Sequence, residues 1–166
     1  MSDTITIRPA SRDDVPLVLE FIRDLARYER LEQEVAASEA QLREALFGER
    51  RYAEVVFACS GGEPVGFALF FHNFSTFKGR PGIYLEDLFV RPQARGRGIG
   101  KQLLAHLARI AVERDCARLE WAVLDWNEPS IGFYRSLGAK PMDEWTTFRL
   151  TGEPLALLAG SADAHG

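Results

Sequence analysis

The chain has 166 residues, of which 46% are hydrophobic and 27% charged, a composition typical of a folded globular protein. Its formal net charge of −4 argues against a general nucleic-acid-binding protein, because such a protein needs a basic face. No apolar run approaches the roughly 20 residues that span a bilayer, and the first residues lack the basic-then-apolar order of a secretory signal. We therefore expect a cytoplasmic protein that binds neither nucleic acid nor membrane.

The pattern of apolar residues predicts strands and helices in a mixed order. A first strand is followed by a helix beginning near Ser11 and by a second helix that Ser38 caps. Gly61 and Gly62 separate two apolar β-rich runs and predict a hairpin. The expected strands are residues 4–8, 52–59, 64–71, 83–90, 118–124 and 144–150. Residues 73–82 are expected to form a surface loop, and two further helices are expected after Gly100 and after Asn127.

This order indicates an α/β protein whose mixed sheet carries helices on both faces. The early hairpins give antiparallel pairs, and the helix after Gly100 provides one parallel crossover. We expect a single domain over residues 1–158 and a disordered tail over 159–166, because the tail is small and polar.

Two cysteines, Cys59 and Cys116, lie far apart in apolar segments. In a reducing cytoplasm we expect them to be small buried side chains rather than a disulfide. The chain has no CxxC and no His/Cys cluster, so we expect no bound metal. His72 and His106 fall on no recognisable motif.

A glycine-rich turn at residues 95–100 (RGRGIG) separates a strand from a helix. Glycines let the backbone turn its N–H groups toward one point, and the following helix adds its unpaired N–H groups and the positive end of its dipole. Arg95, Arg97 and Lys101 add full positive charges, so the turn is suited to a diphosphate. The spacing fits neither the Walker loop nor the GxGxxG dinucleotide motif. A plain βα turn without a ligand is the alternative.

Three segments together give this turn a family context. They are residues 84–90 (YLEDLFV), 95–100 (RGRGIG) and 126–134, which include WNEPS and the pair Phe133-Tyr134. In this order and spacing they resemble the GNAT superfamily of N-acetyltransferases, and more narrowly its diamine (spermidine/spermine) and thialysine acetyltransferases. The resemblance covers about residues 5–150 and implies a sheet of about seven strands, acetyl-coenzyme A as cofactor and a small primary amine as acceptor.

The same resemblance implies which residues contact the coenzyme. They are Leu88, Phe89, Val90, Arg95, Gly96, Arg97, Gly98, Ile99, Gly100, Lys101, Asn127, Ser130 and Tyr134. The backbone of Leu88 and Val90 would pair with the pantetheine. This pairing requires the strand before the glycine-rich turn to be splayed from its neighbour. Asn127 is also a candidate helix N-cap.

The chemistry requires a group that takes a proton from the amine and one that gives a proton to the departing thiolate. Glu86 and Asp87 are adjacent in a strand, so strict alternation predicts that they point to opposite faces. The resemblance implies that both lie at the amine site, without deciding which is the base. It implies that Tyr134 is the general acid.

Two more residues are implied as substrate contacts. Glu29 lies where the diamine enzymes receive the distal ammonium, with Glu32 as a weaker candidate, and Phe77 lies where the polyamine enzymes more often have tryptophan. The family also implies a homodimer. The alternatives are an acetyltransferase for a protein amine or an amino-sugar antibiotic, and a non-catalytic acyl-coenzyme A-binding sensor.

Overall fold

The computed structural model describes residues 4–162, which fall into two compact units. The first unit ends at Ala122 and the second begins at Val123. The first contains β1 Ile5–Pro9, α1 Val15–Tyr28, α2 Glu39–Phe47, β2 Glu54–Ser60, β3 Glu63–Ser75, β4 Arg80–Val90, α3 Ile99–Glu113 and β5 Leu119–Trp121. The second contains α4 Glu128–Ser136 and α5 Gly152–Ser161. No helix among these residues is long and apolar enough to cross a membrane.

The sheet has five strands in the order β1-β2-β3-β4-β5. The first three pairings are antiparallel and the last, β4 with β5, is parallel. Gly61 and Gly62 connect β2 to β3 with φ values of 58° and 84°, the left-handed backbone that a tight hairpin requires. The predicted mixed sheet is thus confirmed, whereas about seven strands is wrong for the residues described.

Helices cover both faces of this sheet. Phe67 of β3 packs on Phe21 of α1 with ring centroids 5.1 Å apart. Its neighbour Gly66 points to the opposite face, where an added β-carbon would lie 3.4 Å from the side chains of Ile99 and Leu103 in α3. The core on the α1 side consists of Val18, Phe21, Leu25, Leu46, Val55, Phe57, Cys59, Phe67 and Phe89.

Local capping follows the sequence closely. The N–H of Gln41 donates to the hydroxyl oxygen of Ser38 at 3.1 Å, and the N–H of Ser38 donates to the side-chain oxygen of Gln41 at 2.9 Å. Ser11 and Asp14 form a similar box around a short 3₁₀ turn that leads into α1. Both cysteines are free thiols, with Cys59 buried and Cys116 half-buried.

Three expectations differ from the structure. Most of residues 73–82 is strand, because β3 and β4 remain paired out to Ser75 and Arg80 and only residues 76–79 form the turn. Residues 144–150 have no strand structure and are exposed. An alternating pattern does not supply the neighbouring strand whose hydrogen bonds a strand needs. The tail predicted to be disordered starts at residue 159, which lies inside α5. Residues 163–166 of that tail lie outside the described part of the chain.

Candidate active site

An irregularity in β4 decides where the two adjacent acids point. Leu69 of β3 lies opposite Asp87, whereas the next residue, Phe70, lies opposite Leu85, so Glu86 is an extra residue in the ladder. Such a bulge breaks the strict alternation of side chains and re-aims one of them. Glu86 and Asp87 therefore line the same cavity, and the expectation that they point to opposite faces is wrong.

This cavity, which we call the acidic cavity, has a volume of about 500 Å³. It lies between α1, the segment after α1 and the bulge of β4. Its lining comprises Ile22, Leu25, Ala26, Glu29, Leu31, Glu34, Val35, Ala36, Ala37, Glu86 and Asp87. Four of these residues are carboxylic acids, none is lysine or arginine, and the others are aliphatic. The cavity therefore has the lining expected for a slender cation with an aliphatic stem.

Two acids of the cavity, Asp87 and Glu29, have raised pKa values. Burial raises the pKa of Asp87 to about 7, and the negative charges of Glu86 and then Glu29 add to the effect. The pKa of Glu29 is also raised, first by burial and then by the charge of Glu86. Asp87 can thus gain or lose a proton near neutral pH, and a cation bound beside it would favour its ionised form.

The glycine-rich turn has an uncapped helix start. Gly96 and Gly98 have φ values of 84° and 74°, and β-carbons added there would meet nothing within 4 Å. Gly98 is the N-cap of α3 and offers no side chain to the helix, whose first N–H bond runs from Gln102 to the carbonyl of Gly98 at 3.0 Å. The N–H groups of residues 99–101 therefore keep the hydrogen-bonding capacity of a helix N-terminus, beside the exposed side chains of Arg97 and Lys101.

The parallel pairing of β4 with β5 is short. The two strands pair only from Ile83 to Leu85 against Leu119 to Trp121. Within the first unit, the stretch from Glu86 to Val90 has a strand partner on the β3 side alone. Its other backbone edge is thus left for a partner that is not a strand of this sheet.

The second unit carries the other predicted coenzyme contacts on α4. The side-chain oxygen of Asn127 accepts from the N–H of Ser130 at 3.4 Å, which confirms Asn127 as the N-cap. Its oxygen therefore serves the helix. Tyr134 is half-buried in this unit, and its ring lies 5.6 Å from that of Phe133.

Phe77 is not brought to the acidic cavity. It is fully exposed in the turn between β3 and β4. Glu86 lies six residues beyond Arg80, where β4 begins. At ~3.3 Å per residue this separates the turn from the acids by roughly 20 Å. The cause is the length of the paired hairpin, which sequence reasoning had assigned to a loop.

Sequence reasoning also missed part of the cavity wall. Glu32, a weaker candidate for the ammonium site, pairs with Arg27 at 3.4 Å and does not line the cavity, whereas Glu34 does. The two acids lie in one 3₁₀ turn, so no periodic signal distinguished them. The apolar run of residues 35–37 was the available signal for an apolar wall.

The fold and these motifs match known proteins. The model of the acetyltransferase (GNAT) family matches residues 18–139. The chain belongs to this family of N-acetyltransferases. The thialysine N-epsilon-acetyltransferase of Bos taurus is 40% identical over 167 residues, covering 94% of this chain and 98% of the relative. The L-ornithine N5-acetyltransferase NATA1 of Arabidopsis thaliana is 31% identical, covering 92% of this chain and 86% of the relative.

A solved structure is similar over nearly the whole chain. The integron cassette protein VCH_CASS6 from the mobile metagenome of V. cholerae has a TM-score of 0.77 and 35% identity, covering 93% of this chain and 97% of that one. The fold of this chain therefore recurs in a solved structure.

Proposed function

We propose that this N-acetyltransferase uses acetyl-coenzyme A to acetylate the terminal amine of a small basic amino acid or diamine, by direct attack in a ternary complex. The acidic cavity carries the proposal. Its four carboxylates and aliphatic walls suit an alkyl ammonium, and two of its acids, Glu86 and Asp87, lie on the strand that leads into the glycine-rich turn. The relatives named for thialysine and L-ornithine support an acceptor of this kind.

The glycine-rich turn fits the diphosphate of the coenzyme. The left-handed glycines and the uncapped start of α3 present backbone N–H groups, and Arg97 and Lys101 supply positive charge. The unpaired edge of β4 from Leu88 to Val90 is suited to hold the pantetheine by backbone hydrogen bonds. When bound, acetyl-coenzyme A supplies the acetyl thioester.

We assign to Asp87 the role of accepting the proton of the attacking ammonium, directly or through water. A free alkyl ammonium has a pKa near ~10.4, so only about one molecule in a thousand is nucleophilic at neutral pH. A carboxylate with a pKa of about 7 is a better acceptor than an ordinary one, and Glu86 and Glu29 hold the cation beside it. Asp87 would thus accept the proton most effectively near neutral pH.

We assign proton donation to the departing thiolate to Tyr134, and helix positioning to Asn127. We expect Tyr134→Phe to lower kcat by at least about tenfold and to leave the Kd of coenzyme A nearly unchanged, because only the hydroxyl is removed. Single-turnover kinetics together with calorimetric titration of coenzyme A measure the two effects. An unchanged kcat would remove Tyr134 from this role.

The deciding experiment is a thiol-release assay with acetyl-coenzyme A and a panel of amines. The panel comprises thialysine, ornithine, lysine, putrescine, spermidine and an aminoglycoside. We expect kcat/KM to be highest for the amino acids and diamines. Glu29→Gln should raise the KM of these amines, and the matched change Glu32→Gln, outside the cavity, should not. If no amine releases thiol while coenzyme A still binds, the chain is an acyl-coenzyme A-binding protein instead.

A further inference from the structure

A pair of aromatic rings joins the glycine-rich turn to the helix that borders the acidic cavity. The guanidinium carbon of Arg95 lies 5.0 Å from the ring centroid of Tyr28 and 5.3 Å from that of Phe89. The two rings are 6.2 Å apart and inclined by 54°. The Nε–H of Arg95 also donates to the carbonyl oxygen of Val90 at 3.0 Å. Arg95, the first residue of the turn, thus has three contacts that restrain its side chain.

The two rings hold the guanidinium in different ways. Phe89 is 5% exposed and packs in the core on the α1 side, so the sheet fixes its position. Tyr28 is 40% exposed and is the last residue of α1, immediately before Glu29 of the acidic cavity. Tyr28 is therefore the surface member of the aromatic pair, and it connects the turn to the end of α1.

We propose that Tyr28 is a positioning residue that holds the guanidinium of Arg95 in the orientation in which it meets the diphosphate of the coenzyme. This inference rests on the proposed function, because it takes the glycine-rich turn as the diphosphate site. An exposed arginine loses side-chain freedom when it binds an anion, and that loss weakens binding. A ring that already restrains the guanidinium removes part of the loss, and cation–π attraction to Tyr28 provides that restraint.

The role of Tyr28 differs from packing in one measurable respect. If Tyr28 acts through Arg95, its contribution to coenzyme binding disappears when Arg95 is replaced. If Tyr28 only stabilises the end of α1, its contribution is the same with or without Arg95. A double-mutant cycle on the Kd of coenzyme A separates these cases.

The test uses the full chain and titrates coenzyme A by calorimetry. We expect Tyr28→Leu to weaken coenzyme A binding roughly two- to fivefold, which is the range that an exposed cation–π contact supports. Tyr28→Phe keeps the ring and should bind like the wild type. In an Arg95→Gln background, Tyr28→Leu should change the Kd by less than about 1.5-fold. The matched control is Tyr52→Leu, which removes another exposed tyrosine and should have no effect. Tyr28→Gln offers a second ringless side chain if the leucine variant is poorly folded.

Three results would overturn the inference. They are an unchanged Kd in both ringless variants, an equal loss in the Arg95→Gln background, and a loss in Tyr28→Phe as large as in Tyr28→Leu. These results would leave the amine chemistry intact. Conversely, the expected Kd pattern without turnover of any amine would retain Tyr28 as a positioning residue and reject the proposed acceptor. A wild-type protein that fails to bind coenzyme A would reject both.

Discussion

Asp87 loses hydration by burial and faces the carboxylates of Glu86 and Glu29, and all three effects oppose its ionisation. At the scale of single residues this is an unfavourable environment for a carboxylate. It arises from the bulge at Glu86, which brings both acids of β4 to one side of the sheet. Perturbed acids grouped in a cavity are typical of catalytic sites, and here each perturbation has an identified partner.

The pH dependence of kcat/KM tests this environment. We expect an ascending limb with a pKa of about 7 as Asp87 ionises, separate from the limb of the amine itself. Removing a neighbouring negative charge lowers the pKa of Asp87, so Glu86→Gln should move the limb to lower pH. Glu29→Gln should move it less, because its charge contributes less than that of Glu86.

Asp87→Asn should abolish this limb and lower kcat/KM by about 10²–10⁴, the range of a general base. Glu32→Gln is the control, because Glu32 lies outside the cavity. Steady-state kinetics from pH 5 to pH 9 with one amine give the pH profiles of the wild type and of the four variants. A limb near pH 7 that survives in Asp87→Asn would assign it to another group.

Arg30 is strained next to the cavity. Its φ of 64° is in the left-handed region, and the bond from the N–H of Leu31 to the carbonyl of Ala26 at 2.8 Å closes α1 in the manner of a Schellman cap. Glycine adopts this conformation without the β-carbon clash, so Arg30→Gly should raise the free energy of unfolding by about 0.5–1 kcal/mol. The same change at Arg23, inside α1, should lower it by about 0.5–1 kcal/mol. Urea denaturation measures both, and equal signs would contradict the strain argument.

At the scale of elements, α3 is the part that couples packing to binding. Gly66 lets α3 approach β3, and the uncapped start of α3 then lies at the end of the glycine-rich turn. The helix therefore stabilises the sheet with its buried face and offers its N–H groups to an anion at its first turn.

The charge at the start of α3 can be changed without changing side-chain shape. Gly98→Asn and Gly98→Asp introduce nearly isosteric side chains at a φ of 74°, and both residues tolerate this backbone better than other side chains. Only aspartate adds a negative charge beside the diphosphate. We expect Gly98→Asp to weaken coenzyme A binding at least about tenfold more than Gly98→Asn, because a tenfold change needs only about 1.4 kcal/mol and the added charge would repel the diphosphate at close range. Calorimetry on both variants measures the ratio, and equal Kd values would exclude an anion at this turn.

Elements with local signals were predictable from the sequence. The capping box at Ser38, the hairpin at Gly61-Gly62 and the helix cap at Asn127 all rest on contacts within a few residues, and all three are present. The bulge at Glu86 was not predictable, because it depends on the register against β3. For the same reason the sequence indicated that Glu86 and Asp87 belong together but placed them on opposite faces. Residues 144–150 show the converse error, a strand pattern without a pairing partner among the described strands.

At the scale of the whole molecule, the acids of the first unit have opposite effects on stability. The hydrogen bond from Arg8 lowers the pKa of Asp14 to about 2, assisted by Ser11 and opposed by burial. This partly exposed pair therefore contributes about 1 kcal/mol above pH 4, and that contribution is lost as the pH falls toward 2. Asp87 acts in the reverse direction, because the folded state holds its proton up to a pH of about 7.

Stability should therefore decline as the pH rises from about 4 to 7, since the unfolded chain releases the proton of Asp87 that the folded chain retains. Asp87→Asn removes this titration. The difference in unfolding free energy between variant and wild type should rise by about 2–4 kcal/mol from pH 4 to pH 8, in favour of the variant. Urea denaturation at pH 4, 6 and 8 measures this change, and Asp13→Asn, which replaces an exposed aspartate, serves as the control. A pH-independent difference would mean that Asp87 is not held neutral by the fold. The expected rise, together with lost activity, would show that the acidic cavity lowers stability to obtain a base that works near neutral pH.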